Sequence, residues 1–135
     1  MKKILMCLVL CLFLSAAVSA RESQKVPIEN LDDLILQIQD GLVLNNINFV
    51  IEEAFFGGVK VTIQCTVKNK TATPVNYTFY VAVFDKADKL VACLGLEPFM
   101  NVHEPGKVET LEASGMIDPE CKDSVSYFLV KVVVQ

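Results

Sequence analysis

His103 is the only histidine of the chain, and it stands beside Glu104 and ahead of Pro105-Gly106. A general base or a hydrolase triad would have to be built around this single imidazole. Loop positions readily carry polar residues, so we interpret His103 as an exposed residue of a turn. With this interpretation the sequence offers no catalytic residue, and we expect that the protein is not an enzyme.

Met100, His103 and Met116 are residue types that bind copper(I), and Cys121 could join them. Copper(I) prefers thioether, imidazole and thiolate ligands, so a periplasmic ligand-binding or copper-handling protein is the alternative function. The spacing of these residues does not itself indicate a site, and methionine side chains commonly fill gaps in a core. We therefore expect no metal and no other cofactor.

Two apolar pairs are candidates for contact with another protein. Phe55 and Phe56 precede Gly57-Gly58, and Phe99 with Met100 forms the second pair. Aromatic and methionine side chains near turns can anchor a partner. The alternative is that they fold over the open ends of the core, as apolar side chains usually do. We predict Phe55, Phe56, Phe99 and Met100 as interaction residues.

Alternating strands are the elements that must position these residues. Residues 59–69, 76–85 and 90–97 read VKVTIQCTVKN, NYTFYVAVFD and LVACLGLE, with the period of strands that bury one face. Gly57-Gly58 is expected to form a two-residue hairpin turn, because both glycines can take positive φ. The expected core is Phe49, Ile51, Val61, Ile63, Val67, Phe79, Val81, Val83, Leu94, Leu96, Leu111, Phe128, Val130 and Val132.

About seven such strands without an intervening amphipathic helix predict an all-β fold, an antiparallel immunoglobulin-like β-sandwich over residues 46–135. Residues 21–45 are expected to form a leader. Within it, Asn30 could cap a short helix that ends at Asp40-Gly41. Residues 34–38 also permit a strand.

Residues 1–20 have the three parts of a secretory signal. Lys2-Lys3 forms the basic region, Ile4 to Leu14 the apolar region, and Val18-Ser19-Ala20 the small-residue cleavage site. The apolar run is shorter than the about 20 residues that cross a bilayer. We expect cleavage after residue 20, no membrane span in the mature chain, and a bacterial periplasmic or extracellular location.

Loss of the signal leaves ten basic and sixteen acidic residues, a net charge near −6. The basic residues are scattered singly, so the chain is a poor candidate for binding nucleic acid. Residues 21–135 suffice for one domain with one core.

Three cysteines remain in the mature chain: Cys65, Cys93 and Cys121. An oxidising compartment favours one disulfide and leaves one cysteine over. Cys65 lies on the buried face of its predicted strand, so we predict a Cys93–Cys121 disulfide. Pairing of Cys65 with either of the others stays open, because geometry decides it.

The order of strands and turns resembles the FxLYD-type domains, small immunoglobulin-like or fibronectin-III-like sandwiches of bacterial envelope and secreted proteins. The resemblance covers about residues 59–112. It is carried by Val67-Lys68-Asn69, Pro74, Val83-Phe84-Asp85, Leu90-Val91 and Glu104-Pro105-Gly106. The chain departs from the usual pattern at Ala87-Asp88, where Asp-Gly is commoner. The resemblance implies a fold and a compartment, and it implies no catalytic residue.

The last strand bears on how the protein works. Residues 130–134 read VKVVV, and only Lys131 interrupts the apolar run. An exposed apolar strand is an aggregation hazard that proteins normally cover. This strand is therefore covered on both faces or lies against another molecule. We expect a non-enzymatic interaction or structural module that binds a protein partner in the cell envelope, as a subunit of a larger envelope or secretion assembly.

Overall fold

A computed structural model describes residues 24–29, 31–39 and 41–135, and the predicted signal segment lies outside these residues. The described chain forms a β-sandwich, which confirms the predicted all-β class. Its strands are β1 (Gln24–Pro27), β2 (Leu36–Gln39), β3 (Leu42–Glu53), β4 (Val59–Asn69), β5 (Tyr77–Asp85), β6 (Leu90–Leu96), β7 (Val108–Ile117) and β8 (Val125–Val134). Short 3-10 turns occur at Phe99–Asn101 and Pro119–Cys121.

The strands form two four-stranded sheets in which all neighbours are antiparallel. Sheet 1 has the order β1-β8-β5-β6, and sheet 2 has the order β2-β3-β4-β7. Within the described ranges, no helix is long and apolar enough to cross a membrane.

The core lies between the two sheets, and the alternation seen in the sequence determines which side chains enter it. On β4 the buried residues alternate with half-buried or exposed polar ones. Phe49 of sheet 2 stacks on Phe128 of sheet 1, with ring centroids 6.0 Å apart. Of the predicted core, Phe49, Ile51 and Val132 are partly buried and all the others are buried.

The expected leader with a short helix is wrong, because residues 24–27 and 36–39 are strands of the sandwich. β1 pairs with β8, and Val26 is buried. Leu36 is buried on β2, the strand that the sequence also permitted, while Asp33 has a positive φ of 63° that no helix tolerates. Asn45-Asn46 lies at a bulge of β3, which begins at Leu42. The described part of residues 21–45 therefore belongs to the sandwich.

Candidate interaction site

The β3–β4 connection presents two almost fully exposed aromatic side chains. Phe55 and Phe56 are each 96% exposed, and their rings contact each other edge to face with centroids 5.1 Å apart. The connection has five residues instead of the predicted two. The Ala54 amide donates to the Gly58 carbonyl at 3.0 Å, and the Gly57 amide donates to the Ala54 carbonyl at 3.0 Å. The expected positive φ of both glycines is confirmed, at 85° and 90°.

Met116 on the neighbouring strand β7 extends the aromatic surface. Its Cε lies so near Gly58 that a Cβ added to the glycine would be 2.7 Å away, and the Met116 side chain is 57% exposed. The φ of 90° favours glycine at position 58, and the end of the Met116 side chain lies directly beside it. We call Phe55, Phe56 and Met116 the apolar tip.

Charged side chains surround the apolar tip. Lys122 Nζ lies 3.0 Å from Glu53 Oε1, and Lys60 Nζ lies 2.9 Å from Glu52 Oε1. The hydrogen bond from Lys60 to Glu52 raises the pKa of Lys60. These surface pairs contribute little to stability, but they occupy the two lysines.

Two further acidic groups stand at the same end of the sandwich, and neither is in a salt bridge with another of the described residues. Asp118 and Glu120 follow β7, whose last residue Ile117 pairs with Val59 next to the tip. Both side chains are exposed, and Asp118 Oδ1 accepts a 3.0 Å hydrogen bond from the Glu120 amide. The border of the apolar tip therefore carries an excess of negative charge.

Phe99 and Met100 are also exposed, at 82% and 79%, but they lie at the other end of the sandwich. The Phe99 amide donates to Glu109 Oε2 at 3.3 Å, and Glu109 pairs with Val67 on β4. The strand rise places Val67 about 26 Å from Val59 at the tip. The four predicted interaction residues therefore form two separate surfaces.

His103 is fully buried, so its interpretation as an exposed turn residue is wrong. His103 and Val75 form an isolated antiparallel β-bridge with two backbone hydrogen bonds of 2.9 and 3.1 Å. This bridge holds the segment that follows β6 next to the residues that precede β5. The ring nitrogens lie 2.7 Å from Tyr77 Oη and 2.9 Å from the Lys107 carbonyl oxygen. A carbonyl can only accept, so Nε2 donates to Lys107 and Nδ1 accepts from the Tyr77 hydroxyl.

Asn69 completes this buried polar cluster, which the sequence reasoning missed. Its Nδ2 donates to the carbonyls of His103 at 2.8 Å and Thr73 at 3.0 Å, and its Oδ1 accepts from the Thr71 amide at 2.8 Å. Asn69 and Tyr77 fall on the buried alternation of β4 and β5. The alternation was the sequence signal that could have predicted the burial of Asn69 and Tyr77. Because its polar groups are partnered within the protein, the cluster holds these connections together.

The metal alternative does not fit this geometry. Both nitrogens of His103 are used inside the protein, so no imidazole lone pair is available to an ion. Met116 lies at the apolar tip, and Met100 lies at the opposite end of the sandwich. Over the part of the chain that the structure describes, no group of three or more His, Cys, Asp and Glu side chains could hold a metal ion.

The structure also separates the cysteines that were predicted to pair. Cys93 is exposed on the outer face of β6, because its neighbour Leu94 points into the core. Cys121 is half-buried and packs against the core, and Cys65 is buried within it. All three thiols are free, so the Cys93–Cys121 disulfide is not formed. Burial raises the pKa of the Cys65 thiol to about 12.

Neither a protein-family model nor a curated protein nor a solved structure matches this chain. Among the predicted site residues, the aromatic pair at the apolar tip is the most exposed, and it has a further apolar side chain, Met116, beside its turn.

Proposed function

We propose that the protein is a non-enzymatic interaction module exported to the bacterial cell envelope, where it serves as a subunit of a larger envelope or secretion assembly. The observation that carries this proposal is the apolar tip, where Phe55 and Phe56 are each 96% exposed. Soluble proteins seldom leave large aromatic side chains together in water without a partner to cover them.

The tip is suited to enter a pocket of another protein. Burial of a phenylalanine side chain contributes about 1.5–3 kcal/mol, so the pair could contribute about 3–6 kcal/mol to binding. The hairpin that carries the pair is held by its own hydrogen bonds, which limits the entropy lost on docking. The acidic border favours a partner whose pocket has a basic rim.

The compartment and the family belong to the same proposal. The signal-like pattern of residues 1–20 supports export. The resemblance of residues 59–112 to FxLYD-type domains supports an immunoglobulin-like sandwich of the envelope.

A comparison of two aromatic substitutions tests the function. We expect the double variant Phe55→Ser/Phe56→Ser to lose capture of a specific envelope protein, by at least tenfold in affinity. Phe99→Ser is the matched control, since Phe99 is 82% exposed at the opposite end of the sandwich. The measurement is affinity capture from envelope extracts followed by quantitative mass spectrometry.

Thermal unfolding must show that both variants remain folded, which the exposure of the substituted side chains favours. Equal capture by the wild type and the double variant would rule out the apolar tip as the binding surface. Capture that depended on Phe99 alone would assign the function to the other end of the sandwich.

A further inference from the structure

Strand β7 lies at one edge of sheet 2, and among the described strands only β4 pairs with it. It has ten residues, and its register with β4 runs from Val108 to Ile117 without a shift. Edge strands are usually protected from further pairing by shortness, proline, lysine or a bulge. β1 and β2 have four residues each and β1 contains Pro27, while the pairing of the seven-residue β6 has a register shift. β7 has none of these four features.

The hydrogen bonds at the two ends of β4 show which backbone groups of β7 point outward. The Asn69 amide donates to the Lys107 carbonyl at 3.2 Å, on the side of β7, and the Gly58 carbonyl accepts from the Ala54 amide at 3.0 Å, on the side of β3. Bonded and non-bonded pairs alternate in antiparallel sheets, so odd-numbered residues of β4 bond to β7 and even-numbered ones bond to β3. The register therefore leaves alternate residues of β7 with amides and carbonyls that point away from β4: Val108, Thr110, Glu112, Ser114 and Met116.

These outward groups form a row along the edge. Within the described part of the chain, no backbone group outside β4 bonds to the backbone of residues 110–116. Alternate residues of a strand are about 6.8 Å apart, and an extended peptide repeats its own amides and carbonyls at the same distance. An extended backbone is therefore the ligand whose hydrogen-bonding groups match the row.

The charge of β7 favours a basic segment. β7 contains two glutamates and no lysine or arginine. Glu109 accepts a hydrogen bond from the Phe99 amide at 3.3 Å. Glu112 is exposed on the outer face, where Gln64 Nε2 donates to its Oε2 at 3.3 Å, and it is in no salt bridge with another described residue. A lysine or arginine directly opposite Glu112 on an added strand would pair with it.

We propose that β7 binds an extended segment of the partner protein, which adds to sheet 2 as a further strand. An antiparallel direction is expected, because antiparallel pairs are the more stable. Main-chain hydrogen bonds would supply affinity, and alternate side chains would supply specificity. The segment carries a basic residue opposite Glu112, an apolar residue opposite Met116, and apolar residues opposite Leu111, Ala113 and Gly115.

The inference rests on the proposed function, since it names the class of partner segment and the backbone surface that this segment uses. Met116 belongs both to β7 and to the apolar tip. A strand added along β7 therefore ends beside Phe55 and Phe56, and one partner can contact the edge and the tip together.

A synthetic peptide is the probe. The acetylated and amidated sequence Leu-Val-Ser-Val-Lys-Val-Thr sets its leucine opposite Met116 and its lysine opposite Glu112 in an antiparallel pair. We expect saturable binding with a dissociation constant below about 1 mM. The matched control is the same peptide with N-methyl groups on its serine and lysine, which removes two of the amides that would bond to β7. The control peptide should not bind.

Amide hydrogen exchange, measured by NMR on the purified protein, reports the site. On binding of the peptide, exchange should slow by up to about tenfold at four alternate amides, as the bound fraction sets. These are the amides of Thr110, Glu112, Ser114 and Met116. The amides of the residues between them already bond to β4, and their exchange should not change in the same way.

Ser114→Pro tests the edge in the protein itself. It removes an outward amide at the centre of the row, and proline is tolerated on an edge strand where the amide faces solvent. We expect at least tenfold weaker binding of the peptide, with Ser114→Thr as the control that keeps the amide. If Ser114→Pro fails to fold, Glu112→Lys is the second test: it should weaken binding of the lysine peptide, and a peptide with glutamate in place of that lysine should restore it.

Three results would overturn the inference: no saturable binding, binding that leaves the four alternate amides unprotected, or equal binding by folded Ser114→Pro and Ser114→Thr. Failure of the proposed function gives a different result. In that case the peptide still binds along β7, while capture of the envelope protein does not depend on Phe55 and Phe56.

Discussion

The substitution Tyr77→Phe isolates one hydrogen bond in the middle of the structure. It removes the hydroxyl that donates to Nδ1 of His103 over 2.7 Å and leaves the ring, which packs on Phe79 with centroids 4.7 Å apart. His103 is fully buried, and its Nδ1 would lose its hydrogen-bond donor without gaining access to water. The change therefore tests whether the buried cluster is held by this bond.

The expected cost follows from burial. A buried polar group that loses its partner costs about 1–3 kcal/mol, while the preserved ring avoids the cost of a large cavity. For a domain of this size that corresponds to a fall in melting temperature of about 4–12 °C. We expect the urea midpoint to fall and the slope m to stay the same, because the surface exposed on unfolding does not change.

The measurement is equilibrium unfolding in urea, followed by circular dichroism and fluorescence. Tyr80→Phe is the control, since Tyr80 lies on the same strand but is 47% exposed, and we expect a change within about 0.5 kcal/mol. A double-mutant cycle with His103→Leu should give a coupling energy of about 1 kcal/mol or more. A cost for Tyr77→Phe no larger than that of Tyr80→Phe would refute the hydrogen-bond geometry assigned to His103.

Two further predictions concern the cysteines and the signal. Burial raises the pKa of Cys65 from 9.0 to about 12, so the unfolded chain loses this proton at lower pH than the folded chain. The stabilisation is complete below pH 9 and is lost as pH rises toward 12; between pH 8 and pH 10 the free energy of unfolding should fall by about 1.4 kcal/mol more than in Cys65→Ala. Unfolding in urea at both pH values checks this, and equal falls would contradict it. Mass spectrometry of the exported protein should give a mature chain that begins at Arg21, and a mass that includes residues 1–20 would contradict signal cleavage.

Regular alternation made much of the sandwich predictable. The expected strands of the central run are found as β4, β5 and β6, and the expected core residues are buried or partly buried. The alternation also continued through Asn69 and Tyr77, whose burial was overlooked because their side chains are polar. The place of a residue in the period-two pattern therefore indicated burial at Asn69 and Tyr77 although both side chains are polar.

The N-terminal segment was predicted wrongly for a physical reason. Short strands such as β1 and β2 have no strong local signal, and their stability comes from the strands beside them. β1 forms because it pairs with Tyr127 to Val130 of β8, which lie about a hundred residues away in sequence. The apolar residues from Leu34 to Ile38 fit the spacing of a helix as well as the pattern of a strand. The pairing of β2 with β3 in the folded chain decides for the strand.

The two predicted interaction pairs also separate what the sequence shows from what strand pairing decides. Their aromatic and methionine residues beside turns were visible in the sequence, and all four side chains are exposed. Their separation by the length of β4 was not visible, because it depends on which strands become neighbours. Met116 joined the tip for that reason, through the pairing of Lys60 with Met116.

The sequence alone determined the class of the fold, the buried face of each long strand and the residues available at the turns, since these follow from local periodicity and side-chain chemistry. The tertiary structure decided that His103 is buried and hydrogen-bonded to Tyr77, that Cys93 and Cys121 stay apart, and that the two exposed apolar pairs lie at opposite ends of the sandwich. Those properties depend on strand order and register. Contacts between residues far apart in the chain set both, and local patterns do not encode them.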